Sequence, residues 1–202
     1  MPTVSDQKLW TRTRQAVYAE ITRTARELFL ERGFEATTID DIAAAAGISR
    51  RSFFRYFGTK EDIVLGDLAA QGELVREQLE ARPATEDAWT ALLNALRNTP
   101  RLGSDDATML KISKMLYGTP SLRARSIEKH LQWQALLTPE IRRRLGTAPD
   151  DEDDLRADAI VACILTCLDV AGEAWTRSDG RQSLEYLVVS AVTAVRGSAP
   201  AA

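Results

Sequence analysis

One histidine, His130, and two cysteines are all this chain offers of the residue types that enzymes and metal sites draw on most. There is no nucleophile motif and no glycine-rich phosphate loop, and the paired carboxylates Asp169 and Glu173 sit four apart on one helix, so catalysis is not expected. Cys163 and Cys167 are also four apart, which makes them neighbours on one helix face and poor disulfide partners. They read as small apolar residues of a buried helix, and a metal site with His130 would lack a fourth ligand. No metal and no cofactor is expected. The longest apolar stretch, AIVACILTCLDVAGEAW at 159–175, falls short of the roughly 20 residues a membrane span needs and is broken by Asp169 and Glu173. MPTVSDQKLWTRTR has no apolar h-region, so no secretory signal is read there and a reducing cytoplasm is the expected setting.

Strands are missing from the pattern as well. Apolar residues recur at spacings of three and four almost throughout, with helix punctuation between segments. The fold expected is all-α. Val17, Ile21, Ala25, Leu28 and Phe29 form one stripe from Arg14 to Arg32, which Gly33 ends. Thr38, with Asp41 three residues on, opens a short helix over 39–45. Gly47 turns the chain and Ser49 caps a helix to about Phe57. Thr59, with Asp62, starts one continuous helix over about 60–81. Further helices are expected over 85–98, 105–117, 120–145, 152–178 and 182–196, with Pro139 kinking or splitting the third.

The net charge of -3 hides an asymmetry. Residues 1–60 carry ten Lys/Arg against seven Asp/Glu, and residues 61–202 carry sixteen against twenty-two. A basic amino-terminal part joined to an acidic remainder fits a local nucleic-acid surface. The domains expected are a flexible basic arm (1–13, with Lys8 and Arg12), a helix-turn-helix domain (14–60), a larger helical domain (61–196) and a disordered tail (197–202).

The stretch GISRRSFFRYFGTKEDI at 47–63 concentrates three of the five phenylalanines among arginines. Two short helices joined by a glycine turn have helix-turn-helix spacing, and the second would face DNA. On a helical wheel Phe53 and Phe57 point inward, towards Ile42, Ala46 and Leu28, while Arg50, Arg51, Phe54 and Arg55 point outward. An exposed Phe54 suits a thymine methyl, with arginine forks on guanine or phosphate beside it. Tyr56 and Lys60 can each reach a phosphate. A merely solvated basic helix face is the alternative.

Residues 21–64 closely resemble the amino-terminal DNA-binding domain of the TetR family of bacterial repressors. The matching positions run through Ile21, Ala25, Leu28, Phe29, Gly33 and Phe34, then Thr37, Thr38, Ile39, Ile42 and Ala43, and on through Ala46, Gly47, Ile48, Ser49, Phe53, Tyr56, Phe57, Lys60, Glu61 and Ile63. The resemblance implies base contacts from Arg50, Arg51 and Phe54, and phosphate contacts from Thr38, Ser52, Tyr56 and Lys60, with Arg55 beside them. Position 54 is often tyrosine in the family, so only an apolar contact remains for Phe54.

The resemblance also implies that the acidic part senses a ligand and dimerises. Helix 152–178 is apolar almost all round, so it needs cover on more than one side. Ile160, Ile164 and Cys167, with Leu184, Leu187, Val188, Ala191, Val192 and Val195 of the last helix, are expected to build a four-helix dimer interface. Candidate pocket residues are Trp89, Leu93, Met109, Leu116, Ile127, Leu131 and Trp133, with Gln134 and Thr166 as polar contacts. PSLRARSIEKHLQW and DDLRADAIVACILT loosely resemble a branch of the family that includes mycofactocin-system regulators and is associated with acyl-CoA-like ligands. On that resemblance Arg123 or Arg125 would meet CoA phosphates. The function expected is a dimeric repressor that binds a palindromic double-stranded operator and is released by a small hydrophobic or acyl-CoA-like effector. The alternative is a DNA-binding regulator without a ligand, controlled by abundance or by a protein partner.

Overall fold

The computed structural model describes residues 4–66, 68–99, 106–148, 150–151 and 153–197, and side chains only from residue 14 onward at the amino terminus. It forms two compact units, residues 1–66 and 67–202. Among the described residues the regular structure is all helical.

The first unit holds α1 (Val4–Arg32), α2 (Ile39–Ala45), α3 (Arg50–Phe53) and α4 (Glu61–Leu65). Helix α1 starts at Val4 and runs through the segment expected to be a flexible arm, because neither Pro nor Gly interrupts residues 4–32. The side chains of Lys8 and Arg12 lie outside the described residues. Thr38 and Asp41 close a reciprocal capping box at α2, the two backbone N–H bonds measuring 3.1 and 2.8 Å. Gly47 makes the turn at φ +65°, a left-handed conformation that a side chain would strain. Beyond Phe53 the bonding mixes i−3 and i−4 partners, so α3 is shorter than the helix expected to reach Phe57 and tightens into a turn. The core is Ile21, Leu28, Phe29, Ile42, Phe53 and Phe57, all nearly inaccessible. Each such side chain contributes about 1.5–3 kcal/mol by burial.

The helix expected over 60–81 is two helices, α4 and α5 (Leu68–Glu80). Gly66 follows α4, and a Cβ there would collide with the Asp62 carbonyl oxygen and lie 2.5 Å from the Tyr18 hydroxyl. Capping signals show where a helix begins; they do not show that a tyrosine from α1 occupies the space of a side chain 48 positions on.

The second unit continues with α6 (Ala88–Asn98), α7 (Asp106–Gly118), α8 (Pro120–Leu145), α9 (Leu155–Arg177) and α10 (Leu184–Arg196). Helix α9 is central, packing against α6, α7, α8 and α10. Pro139 does not split α8. One backbone bond is forfeited there, and the fully buried Leu137 and Ile141 on either side hold the helix through it. Arg144, 2% exposed, pairs with Glu140 at 2.9 Å and donates to the carbonyls of Leu79, Arg82 and Pro83 at 2.8–3.0 Å. One side chain of α8 thereby satisfies the carboxyl end of α5. Of the tail expected to be disordered, residues 198–202 lie outside the described residues.

Candidate nucleic-acid interface

Helix α3 is held by its cap and by its aromatic floor. Ser49 Oγ accepts from Ser52 N at 3.1 Å and donates to Ser52 Oγ at 3.0 Å. Phe53 and Phe57 face inward, and Tyr18 of α1 stacks on Phe57 with ring centroids 4.6 Å apart. That leaves Arg50, Arg51, Phe54 and Arg55 exposed, Phe54 at 47%.

The arginines are not equivalent. Arg50 pairs with Asp40 of α2 at 2.7 Å, and its guanidinium lies 5.7 Å from the centre of the Phe54 ring. Arg51 has no ion-pair partner among the described residues. Arg55 donates a long bond, 3.4 Å, to Ser52 Oγ, and Tyr56 beside it is half-buried. The pair of Arg50 with Asp40 crosses the turn between α2 and α3, so Arg50 is oriented in advance. Arg51 and Arg55 remain available as planar donors for base edges or phosphates.

Two residues expected on phosphate are already engaged. The Thr38 hydroxyl donates to Asp41 Oδ2 at 2.5 Å, so its proton belongs to the α2 cap; that donation, with the Thr38 backbone N–H, holds the Asp41 carboxyl below its usual range. The Lys60 ammonium donates to the carbonyls of Phe34 at 2.9 Å and Thr37 at 3.3 Å. It also lies 4.3 Å from the centre of the Phe34 ring. Lys60 braces the connection between α1 and α2 from inside, a role its position in the chain did not reveal.

In the second unit the expected pocket residues do not gather. Trp133 is buried core, lying against Gly72, where a Cβ would meet its Nε1 at 2.7 Å. Trp89 and Leu93 pack on the same core, and Met109, Leu116 and Gln134 are half-buried. Ile127, Leu131 and Thr166 are exposed. A cavity of about 740 Å³ lies elsewhere, between α6, α7, α9 and α10, and none of these nine residues lines it. Leu110, Leu168 and Trp175 form its apolar wall. Gly180, at φ +72° in the turn between α9 and α10, is on its lining as well.

The arginines expected to meet CoA phosphates are engaged too: Arg123 with Glu173 at 3.0 Å, and Arg125 with Glu128 at 2.5 Å. Asp169 lies 3.9 Å from Arg123, and its backbone carbonyl accepts from the Tyr117 hydroxyl at 3.1 Å. Burial, then the Asp169 carboxylate, pushes the Tyr117 hydroxyl far above its ordinary range. Burial lowers His130.

The residues expected at a dimer interface divide. Ile160, Ile164, Cys167, Val188 and Val192 lie in the core of their own chain, and Leu184, Leu187 and Ala191 are packed against it. Val195 is exposed, together with Val170 and Tyr186 at 52% and 59%. Periodicity shows that α9 is apolar on two sides but not which side its own chain covers.

Two short helices joined at a glycine turn, the second carrying an exposed arginine-rich face, define a helix-turn-helix DNA-binding transcriptional regulator. Residues 21–66 match the model described as "Bacterial regulatory proteins, tetR family", and residues 86–199 match the "MftR C-terminal domain". The chain belongs to the TetR family. It is 32% identical over 189 residues to the HTH-type transcriptional regulator TcmR of Streptomyces glaucescens, covering 90% of this chain and 82% of that one. It is 30% identical over 205 residues to the HTH-type transcriptional repressor AcnR of Corynebacterium diphtheriae, covering 99% and 100%. Among solved structures it shares its fold with Thermus thermophilus FadR in complex with lauroyl-CoA, at a TM-score of 0.57 and 23% identity over 92% of this chain and 98% of that one. Among the described residues no helix is long and apolar enough to cross a membrane. The relatives are named as regulators, and the family is not one of enzymes.

Proposed function

We propose that the protein is a dimeric repressor that binds an operator with two-fold symmetry and is released by a small-molecule effector. The observation that carries this reading is the outer face of α3, with Arg51 unpaired, Arg50 oriented by Asp40 and Phe54 exposed between them. Arg50 and Arg51 read base edges and Phe54 meets a thymine methyl. Ser52, Arg55 and Tyr56 hold phosphates, and Thr38 adds only its already bonded hydroxyl oxygen. Lys60 stays inside the domain as a brace.

Dimerisation through the outer faces of α9 and α10 is supported by Val170, Tyr186 and Val195, apolar or aromatic side chains left uncovered on both helices. The second unit's cavity supports an effector, which releases DNA by favouring a conformer whose two reading heads are wrongly spaced. FadR of Thermus thermophilus is described in complex with lauroyl-CoA, and an acyl-CoA is therefore one effector to test.

Selection from a random duplex pool tests the central claim. An enriched inverted repeat with half-sites about one helical turn apart is expected. Salt-sensitive binding without enrichment would sink the repressor reading.

A further inference from the structure

Helix α2 opens on two consecutive aspartates with different partners. Asp41 belongs to the cap, accepting from the backbone N–H and the hydroxyl of Thr38. Asp40 takes no part in that cap. Its carboxylate accepts from Arg50 Nη1 at 2.7 Å across the glycine turn, and Arg50 is its one partner among the described residues. Both side chains are well exposed, 65% for Asp40 and 60% for Arg50, so the pair adds little to stability. A carboxylate beside the exposed Arg50, Arg51 and Arg55 also weakens the general attraction to a polyanion. Neither stability nor attraction to DNA accounts for Asp40.

What the pair does control is the kind of acceptor that Arg50 can take. With Nη1 held by Asp40, Nε and Nη2 remain as two parallel donors, the fork that matches guanine O6 and N7. The Phe54 ring, 5.7 Å from the guanidinium, stands beside it and limits its swing. A phosphate on that fork would set a second anion against the Asp40 carboxylate across one guanidinium, whereas guanine offers neutral acceptors. Arg51 and Arg55, which pair with no carboxylate among the described residues, carry no such bar. From this geometry we propose that Asp40 is a specificity-determining positioning residue: it withholds Arg50 from the phosphate backbone and commits it to a guanine in the major groove. This rests on the DNA-binding reading given above.

The test runs the random-duplex selection on the full-length protein and on Asp40→Asn, Arg50→Ala and the double variant, with binding to a scrambled duplex measured against salt. Asparagine keeps the shape of Asp40 and removes its charge, and the cap, closed by Asp41, stays intact, which thermal unfolding checks. Arg50→Ala loses the preference for one guanine per half-site. Asp40→Asn is expected to weaken the preference for that same guanine about ten-fold or more. The scrambled duplex then binds more tightly, and its log–log salt slope steepens by about 0.9 per copy as Arg50 moves onto phosphate. In the Arg50→Ala background, Asp40→Asn changes no base preference. A selection unchanged by Asp40→Asn, a loss at a position other than that of Arg50, or an even loss of affinity across all duplexes would overturn the assignment. No enrichment with the unaltered protein removes the repressor reading and this assignment with it, whereas enrichment that Asp40→Asn leaves intact removes this assignment alone.

Discussion

Lys60→Met removes an ammonium and keeps the length and apolar stem of the side chain. In the protein that ammonium donates to two backbone carbonyls, Phe34 O at 2.9 Å and Thr37 O at 3.3 Å, and its side chain is only 20% exposed. Hydrogen bonds from a charged donor contribute about 1.5–3 kcal/mol, and the ring of Phe34 adds about 0.5–1 kcal/mol at a partly exposed site. Water can reach one of the two carbonyls, so the net loss worked from the structure is about 2 kcal/mol. Glu35, at 3.9 Å and well exposed, contributes little. Urea unfolding, with hydrogen exchange over residues 28–46, reads the destabilisation where it arises. Operator binding is then measured against salt. A residue that neutralises a phosphate flattens the log–log slope by about 0.9 per copy, hence about 1.8 for a dimer. A brace leaves the slope unchanged while affinity falls. Unaltered stability together with a slope flatter by about 1.8 would refute the assignment of Lys60 to the interior.

Gly172→Ala drives a methyl into the Tyr117 hydroxyl and costs about 1–3 kcal/mol; Tyr117→Phe in the same chain restores part of that, measured as a double-mutant cycle in thermal unfolding. Arg144→Met removes the charged donor from the Leu79, Arg82 and Pro83 carbonyls, of which Leu79 keeps a backbone bond from Arg82 N, and deprives buried Glu140 of one partner, so a loss of about 3–5 kcal/mol is expected in urea unfolding. Asp154, held down to about 2 by bonds from the Arg156 side chain and backbone N–H at the start of α9, has a folded pKa below its unfolded value. Its contribution is therefore complete above about pH 4 and is lost as pH falls through about 2; Asp154→Asn flattens that part of an acid titration of stability.

The helix-turn-helix was legible because its signals are local. Thr38 and Asp41 cap across three residues, Gly47 turns, and the inward placement of Phe53 and Phe57 follows from four-residue spacing. What escaped the sequence was set by partners far along the chain. Lys60 reaches a carbonyl 26 residues back, and Gly66 is required by Tyr18. Neither appears in a helical wheel of the segment itself. Helix α9 was recognised as covered on two sides, yet Ile160, Ile164 and Cys167 were assigned to the partner's side although their own chain covers them. The cavity was the least legible feature. It exists where Leu110, Leu168 and Trp175 fail to close on one another, and an absence of contact leaves no periodic trace.

The guanidinium of Arg144 gives α5 mechanical properties as well as a satisfied end. Three carbonyls gripped by one planar group make a clamp at the carboxyl end of a 13-residue rod. Gly72, near the other end, lies so close to the Trp133 indole that no side chain fits between them. At 1.5 Å per residue the rod is about 20 Å long, and it rests on α8 at both places like a beam on two supports. A methyl placed at Gly72 would lift the beam off one support while leaving the clamp intact.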